Sequence, residues 1–187
     1  IIIIFEGKVK LENITIIITG ATSGIGYETA IELARRGHSI VGIGSSVTSC
    51  TAASKNSLKD FSANTISFLP CDLSNQQEIH NLAQSLSKKY ETIDILINNA
   101  GSIFLKKHIT YEGLEKTFSV NYLGHFLFTR LMLNKLLNSH NPKIINVSSV
   151  AYKKARISDD DLINPNNYSP MKVYGRSKLA QILFTRH

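Results

Sequence analysis

The chain has 187 residues, 43% hydrophobic and 19% charged, with a formal net charge of +7; that length fits one domain with a real core, and the composition excludes a disordered or fibrous chain. Two cysteines, Cys50 and Cys71, are too few for a disulfide framework, and neither they nor the six histidines show metal-ligand spacing, so no metal is assigned. Lys and Arg are scattered, with no run longer than pairs such as Arg35-Arg36 and Lys106-Lys107, which reads as a solvated surface and argues against nucleic acid as a partner.

In chain order, residues 1–13 read as a lead-in. Its opening Ile-Ile-Ile-Ile-Phe is far short of a membrane span of ~20 residues, so it is either the end of a membrane anchor or a plain apolar lead-in. Residues 14–187 read as one domain. Ile14 to Thr19 is a buried strand, followed by a helix from about Ile25 to Arg36 with Gly37 as its stop. Ser39 to Ile43 and Thr65 to Leu69 are strands, and the serine-rich stretch Ser45 to Ala63 between them is a weak helix flanked by loops. A helix over Gln76 to Lys89 precedes a strand at Ile93 to Ile97. Leu114 to Leu137 reads as one long helix, Lys143 to Val147 as a fifth strand expected to be buried, and Ala155 to Met171 as irregular. A last helix starts near Val173 and is still running at His187, as expected of a chain incomplete at its C-terminus. Strand–helix alternation with continuously apolar strands predicts an α/β fold with a doubly wound parallel sheet.

The first strand runs into T-G-A-T-S-G-I-G, Thr19 to Gly26, and then into a helix. Gly20, Gly24 and Gly26 clear side chains from a sharp turn, and the helix that follows aims free N–H groups and its positive dipole end at an anion such as a pyrophosphate. No Gly-Lys-Ser/Thr follows, which excludes a Walker P-loop. At the end of the second strand stands Gly44-Ser45-Ser46, without the acid that would bind a ribose 2′-hydroxyl or the Arg that would embrace a 2′-phosphate. NADP and NAD both stay open, with a lean to NADP or dual use, and Ser45 is a candidate donor to the phosphate.

Further landmarks follow in order: Asn98-Asn99-Ala100-Gly101 after the fourth strand, Asn121 within an apolar helix, Asn146-Val147-Ser148-Ser149 after the fifth strand, and Tyr174-Gly175-Arg176-Ser177-Lys178 in the last helix. Reducing a carbonyl by hydride needs a proton donor for the developing alkoxide. A free Tyr titrates near ~10 and is a poor base at neutral pH. A Lys four residues on lies one turn away on the same helix face, where its charge favours the phenolate. A Ser at a strand end can hold the substrate oxygen beside the Tyr hydroxyl.

From about Ile14 to Arg186 this set resembles the short-chain dehydrogenase/reductase superfamily, through T-G-x-x-x-G-I-G, C-D-L, N-N-A-G, the helix Asn, N-V-S-S and Y-x-x-x-K. The resemblance implies Tyr174 as acid/base, Lys178 as its activator and ribose ligand, Ser149 as substrate-oxygen ligand, and Asn121 as organiser of a proton relay. It also implies Gly20, Ser23, Ile25 and Gly26 as the pyrophosphate loop. Asp72 and Leu73 match adenine contacts, and Asn98, Ala100 and Gly101 match the wall beside the ribose. V-N-Y-L-G-H-F-L-F-T and S-K-L-A-Q-I-L-F-T resemble the retinol dehydrogenase-like branch. That likeness implies an apolar alcohol or carbonyl substrate of polyprenol, retinoid or steroid type, at an endoplasmic-reticulum or lipid-droplet surface, with a cytoplasmic location as the alternative. Membrane association and a homo-oligomer are left open. The competing reading is a truncated, non-catalytic dinucleotide-binding module.

Overall fold

The computed structural model describes residues 13–157, 165 and 167–186. The expected lead-in up to residue 12 and the acidic run Asp159-Asp160-Asp161 lie outside the described residues. Five strands, β1 (Thr15–Thr19), β2 (Ser39–Gly44), β3 (Ile66–Pro70), β4 (Ile95–Asn98) and β5 (Lys143–Asn146), pair in the order β3-β2-β1-β4-β5, all parallel. Helices α1 (Gly24–Arg35), α2 (Val47–Ser57), α3 (Gln76–Lys89), α5 (Gly124–Leu137) and α6 (Pro170–Arg186) connect or follow them, with a short α4 (Lys116–Phe118) leading towards α5. This is the expected doubly wound fold, and the direction of strand order reverses between β1 and β4, where such sheets bind ligands.

Side chains alternate across each strand, so each contributes to two layers. Ile17, Val41 and Leu96 face α3 and α5, meeting Ile79, Leu86, Phe128 and Met132. Ile16, Ile18, Ile40 and Ile97 face α1 and α2, meeting Ala30, Ile31, Ala34 and Cys50. Phe128 is fully buried in the first layer. Phe128→Ala is expected to cost about 3–5 kcal/mol of folding stability, checked by chemical denaturation.

Several features depart from the sequence expectation, among them the last helix, which starts at Pro170 and not near Val173. The fourth strand starts two residues late and includes Asn98. The helix expected over Leu114 to Leu137 is broken: α4 passes into a π-turn, Ser119–Leu123, in which the Gly124 N–H reaches the Ser119 carbonyl five residues back. Glu115 caps α4 through the N–H groups of Thr117 (2.9 Å) and Phe118 (2.8 Å). The fifth strand is not buried on both faces as expected: it is the sheet edge, with Ile144 and Ile145 exposed and Asn146 only partly buried. The serine-rich stretch does form a helix, because Ser46 accepts from the Ser49 N–H and caps α2. Among the described residues no helix is long and apolar enough to cross a membrane.

Candidate active site

At the carboxyl ends of β1, β2 and β4 lies a cleft of about 600 Å³. Gly20, Ser23, Ile25, Gly26, Ser45, Asp72, Leu73, Ala100 and Gly101 line it, all singled out from sequence. Gly20 turns the chain with φ +66°, a conformation open to glycine. A Cβ on Gly26 would fall 2.2 Å from the Gly20 carbonyl oxygen and 2.4 Å from Asn99 Nδ2. The glycines therefore let α1 and the N-N-A-G turn close onto the β1 turn, in addition to leaving room for a ligand. Gly26→Ala should lower stability by about 1–3 kcal/mol through overpacking, read as a fall in Tm. Gly24 opens α1, and the preceding Ser23 makes no side-chain capping hydrogen bond.

The remaining wall is polar. Asp72 accepts from the Ser74 N–H (2.8 Å) and hydroxyl (2.7 Å), and Lys116 Nζ stands 3.6 Å away. Burial alone would raise the Asp72 carboxyl, but these donors outweigh it and hold it below its ordinary value. Lys116 also sits 5.5 Å from the Phe104 ring centroid. Both residues line the cleft, and neither carried a sequence signal, since their partnership is made only in the fold.

Four expected cofactor residues do not line this cleft: Asn98, Gly24, and Tyr174 and Lys178 on α6. Asn98 is fully buried and does not line the cleft; its Nδ2 donates to Thr129 Oγ1 (3.0 Å) and Asn146 Oδ1 (2.8 Å), tying β4 to α5 and β5. Gly24, at the start of α1, is exposed, with open space where a Cβ would stand.

The expected catalytic residues gather around the first turns of α6. Lys178 is buried, and its Nζ donates to the Val147 carbonyl and to Gln181 Oε1, each at 2.9 Å. Burial lowers its pKa from 10.5 to about 8. Its Nζ is 5.6 Å from the Tyr174 ring centroid and 3.3 Å from where a Gly101 Cβ would stand, which joins α6 to the cleft wall. Asn121 lies in the π-turn with its amide fully used: Oδ1 accepts from the Ser102 N–H (2.8 Å), while Nδ2 donates to the Ser102 carbonyl and Ser177 Oγ, both at 3.0 Å. Ser177 Oγ in turn donates to the Tyr174 carbonyl (2.7 Å). Ser149 caps the 3-10 turn Val150–Lys154 through the Ala151 N–H (3.3 Å), the bland role open to such a serine. Ser148 donates to the Lys178 carbonyl (2.9 Å) and fixes the β5 loop to α6. Gln181, Ser177, Thr19 and His125 belong to this network; they lie within motifs read from the sequence, which assigned them no role.

The sequence profile described as "short chain dehydrogenase" matches residues 14–187. The chain is 39% identical over 180 residues to human retinol dehydrogenase 13, covering 96% of this chain and 54% of that protein. It is 37% identical over 175 residues to human polyprenol dehydrogenase, covering 91% and 53%. Among solved structures, the Pseudomonas aeruginosa RhlG/NADP active-site complex superposes with a TM-score of 0.73 at 26% identity, covering 94% of this chain and 66% of that one. The chain thus spans about half the length of the curated relatives it matches.

Proposed function

The chain belongs to the short-chain dehydrogenase family, and on that premise we propose that it serves an NAD(P)-dependent oxidoreductase interconverting an apolar alcohol and its carbonyl compound. The observation that carries the reading is the joining of the glycine cleft to the Tyr174–Lys178 turn through Gly101, beside which Lys178 Nζ lies. The cleft fits a dinucleotide: its glycine turn leaves backbone and an uncapped helix start facing the opening, and its walls are polar.

Gly20, Ser23, Ile25 and Gly26 would hold the pyrophosphate, with Gly24 opening α1 beside them, Asp72 and Leu73 the adenine, and Ala100 and Gly101 the ribose. Asn98 would act from behind, by fixing the end of β4. No carboxylate stands at the end of β2, where Ser45 lines the cleft and α2 begins two residues later. Ser46 is spent as the α2 cap, so Ser45 is the serine available to a 2′-phosphate. This arrangement favours NADP, with NAD tolerated, because nothing there repels the extra phosphate. The likeness to the RhlG/NADP complex points the same way.

When bound, the dinucleotide supplies or accepts the hydride. Tyr174 hands a proton to the developing alkoxide oxygen, or takes one from the alcohol in reverse. Lys178, as an ammonium beside the Tyr174 ring, offers a donor to the ribose. Ser149 turns its hydroxyl to the substrate oxygen once substrate is seated, at the loss of a 3.3 Å capping bond. Asn121 is a positioning residue that holds the proton relay behind Lys178.

The likeness to polyprenol dehydrogenase and retinol dehydrogenase 13 favours a long apolar substrate of polyprenol or retinoid type. Work at an endoplasmic-reticulum or lipid-droplet surface is what the motif resemblance to the retinol dehydrogenase-like branch implies. The test is turnover of NADPH against NADH by the full-length protein on retinal, a polyprenal and a steroid ketone. Oxidation of NADPH with at least one of the three is expected, faster than with NADH. Consumption of neither dinucleotide with any of them would overturn the reading.

A further inference from the structure

One buried side chain links the two halves of this site and has no role in the chemistry described so far. His125, the second residue of α5, is 1% exposed and uses both ring nitrogens. Nδ1 lies 2.9 Å from the Asn121 carbonyl oxygen, and Nε2 lies 2.8 Å from Thr19 Oγ1. A carbonyl can only accept, so the proton is on Nδ1. Thr19 Oγ1 already accepts from the N–H groups of Asn99 (2.9 Å) and Ala100 (3.0 Å), so its own proton is left to give, and Nε2 at 2.8 Å is a nearer acceptor than the Ile97 carbonyl oxygen at 3.4 Å. These partners define a neutral ring with a single tautomer.

We propose that His125 is a positioning residue of this oxidoreductase site, a bridge whose neutral Nδ1–H tautomer holds the nucleotide-binding wall and the Tyr174 turn at one fixed spacing. The inference rests on the function proposed above. On one side, Thr19 ends β1 and fixes the N-N-A-G turn that walls the cleft. On the other, the Asn121 carbonyl belongs to the π-turn, and the Asn121 amide continues through Ser177 Oγ to the Tyr174 carbonyl. The chain of contacts Thr19–His125–Asn121–Ser177–Tyr174 therefore runs from the cofactor cleft to the acid/base turn without a gap. An imidazolium would set an N–H against a hydroxyl whose accepting capacity is filled. Burial keeps the ring neutral by lowering its pKa to about 4, with the nearby Lys178 charge acting the same way.

The test has two readouts in the full-length protein. Long-range proton–nitrogen correlation of the histidine rings, assigned by comparison with His125→Gln, should show Nδ1 protonated and Nε2 bare at neutral pH. An Nε2–H tautomer or an imidazolium there would overturn the proposal. In kinetics, His125→Phe fills the space but removes both contacts, and should lower kcat about 10- to 100-fold while weakening NADPH binding. His125→Gln can accept from Thr19 and donate to Asn121, and should recover most of that loss. A side chain that merely fills space predicts the reverse rank, with Phe active and Gln impaired; that result would overturn the bridge. If His125→Phe does not fold, the tautomer and His125→Gln still decide the matter. Failure of the underlying reading looks different: the unsubstituted protein would neither bind a dinucleotide nor turn over.

Discussion

Tyr174→Phe in the full-length protein is expected to lower turnover by about 10²- to 10⁴-fold while leaving NADPH affinity nearly unchanged. The substitution keeps the ring beside Lys178 Nζ, 5.6 Å from its centroid, and keeps the Tyr174 carbonyl as acceptor for Ser177. Only the hydroxyl is lost, and with it the proton for the developing alkoxide. Single-turnover rates and dinucleotide titration by fluorescence separate the two effects. Turnover close to that of the unsubstituted protein would refute the acid/base role.

Lys178→Met is expected to weaken turnover and dinucleotide affinity together, each by at least an order of magnitude, a direction set by removal of a charge-assisted donor. It also leaves the Val147 carbonyl and Gln181 Oε1 without their donor. The pH dependence has a definite sign. Burial places Lys178 near 8, below its ordinary 10.5, so the ammonium is present below about pH 8 and is lost as pH rises through that value. Dinucleotide affinity of the unsubstituted protein should be flat on the acid side and fall above about pH 8; in Lys178→Met that fall should be absent. Stability moves oppositely, because the unfolded chain holds the proton longer: this group makes stability rise between about pH 8 and 10.5. Denaturant titrations across that window compare the two proteins. An identical fall in affinity in both would remove Lys178 from the site.

The sheet and the cleft were legible because their causes are local. Runs such as Ile16-Ile17-Ile18 and Ile95-Leu96-Ile97 are apolar on both faces, and central parallel strands require that. The turn from Thr19 to Gly26 carries its geometry in its own glycines, so most residues assigned to it line the cleft. Lys143-Ile144-Ile145 reads like those central strands, and among the described residues no strand pairs with its outer side, so Ile144 and Ile145 are exposed.

The π-turn was hidden for a different reason. Ser119 to Leu123 has an ordinary helical pattern, and the Asn121 side chain within it pairs with Ser102, 19 residues away. His125 was harder still, since its partner Thr19 is 106 residues distant and nothing in a lone histidine announces such a pairing. Asn98 marks the limit of transfer by motif: its position at the end of β4 is as expected, but its side chain turns inward to Thr129 and Asn146.

The most direct test of the proposed chemistry follows the hydride itself. The full-length protein would be incubated with NADPH deuterated at C4, on one face and then on the other, together with retinal or a polyprenal, and the alcohol product analysed by mass spectrometry. Deuterium on the carbinol carbon from one face only, and none with Tyr174→Phe over the same time, is the expected result. Alcohol formed without deuterium from either face, or no alcohol at all from any apolar carbonyl compound offered, would contradict the assignment.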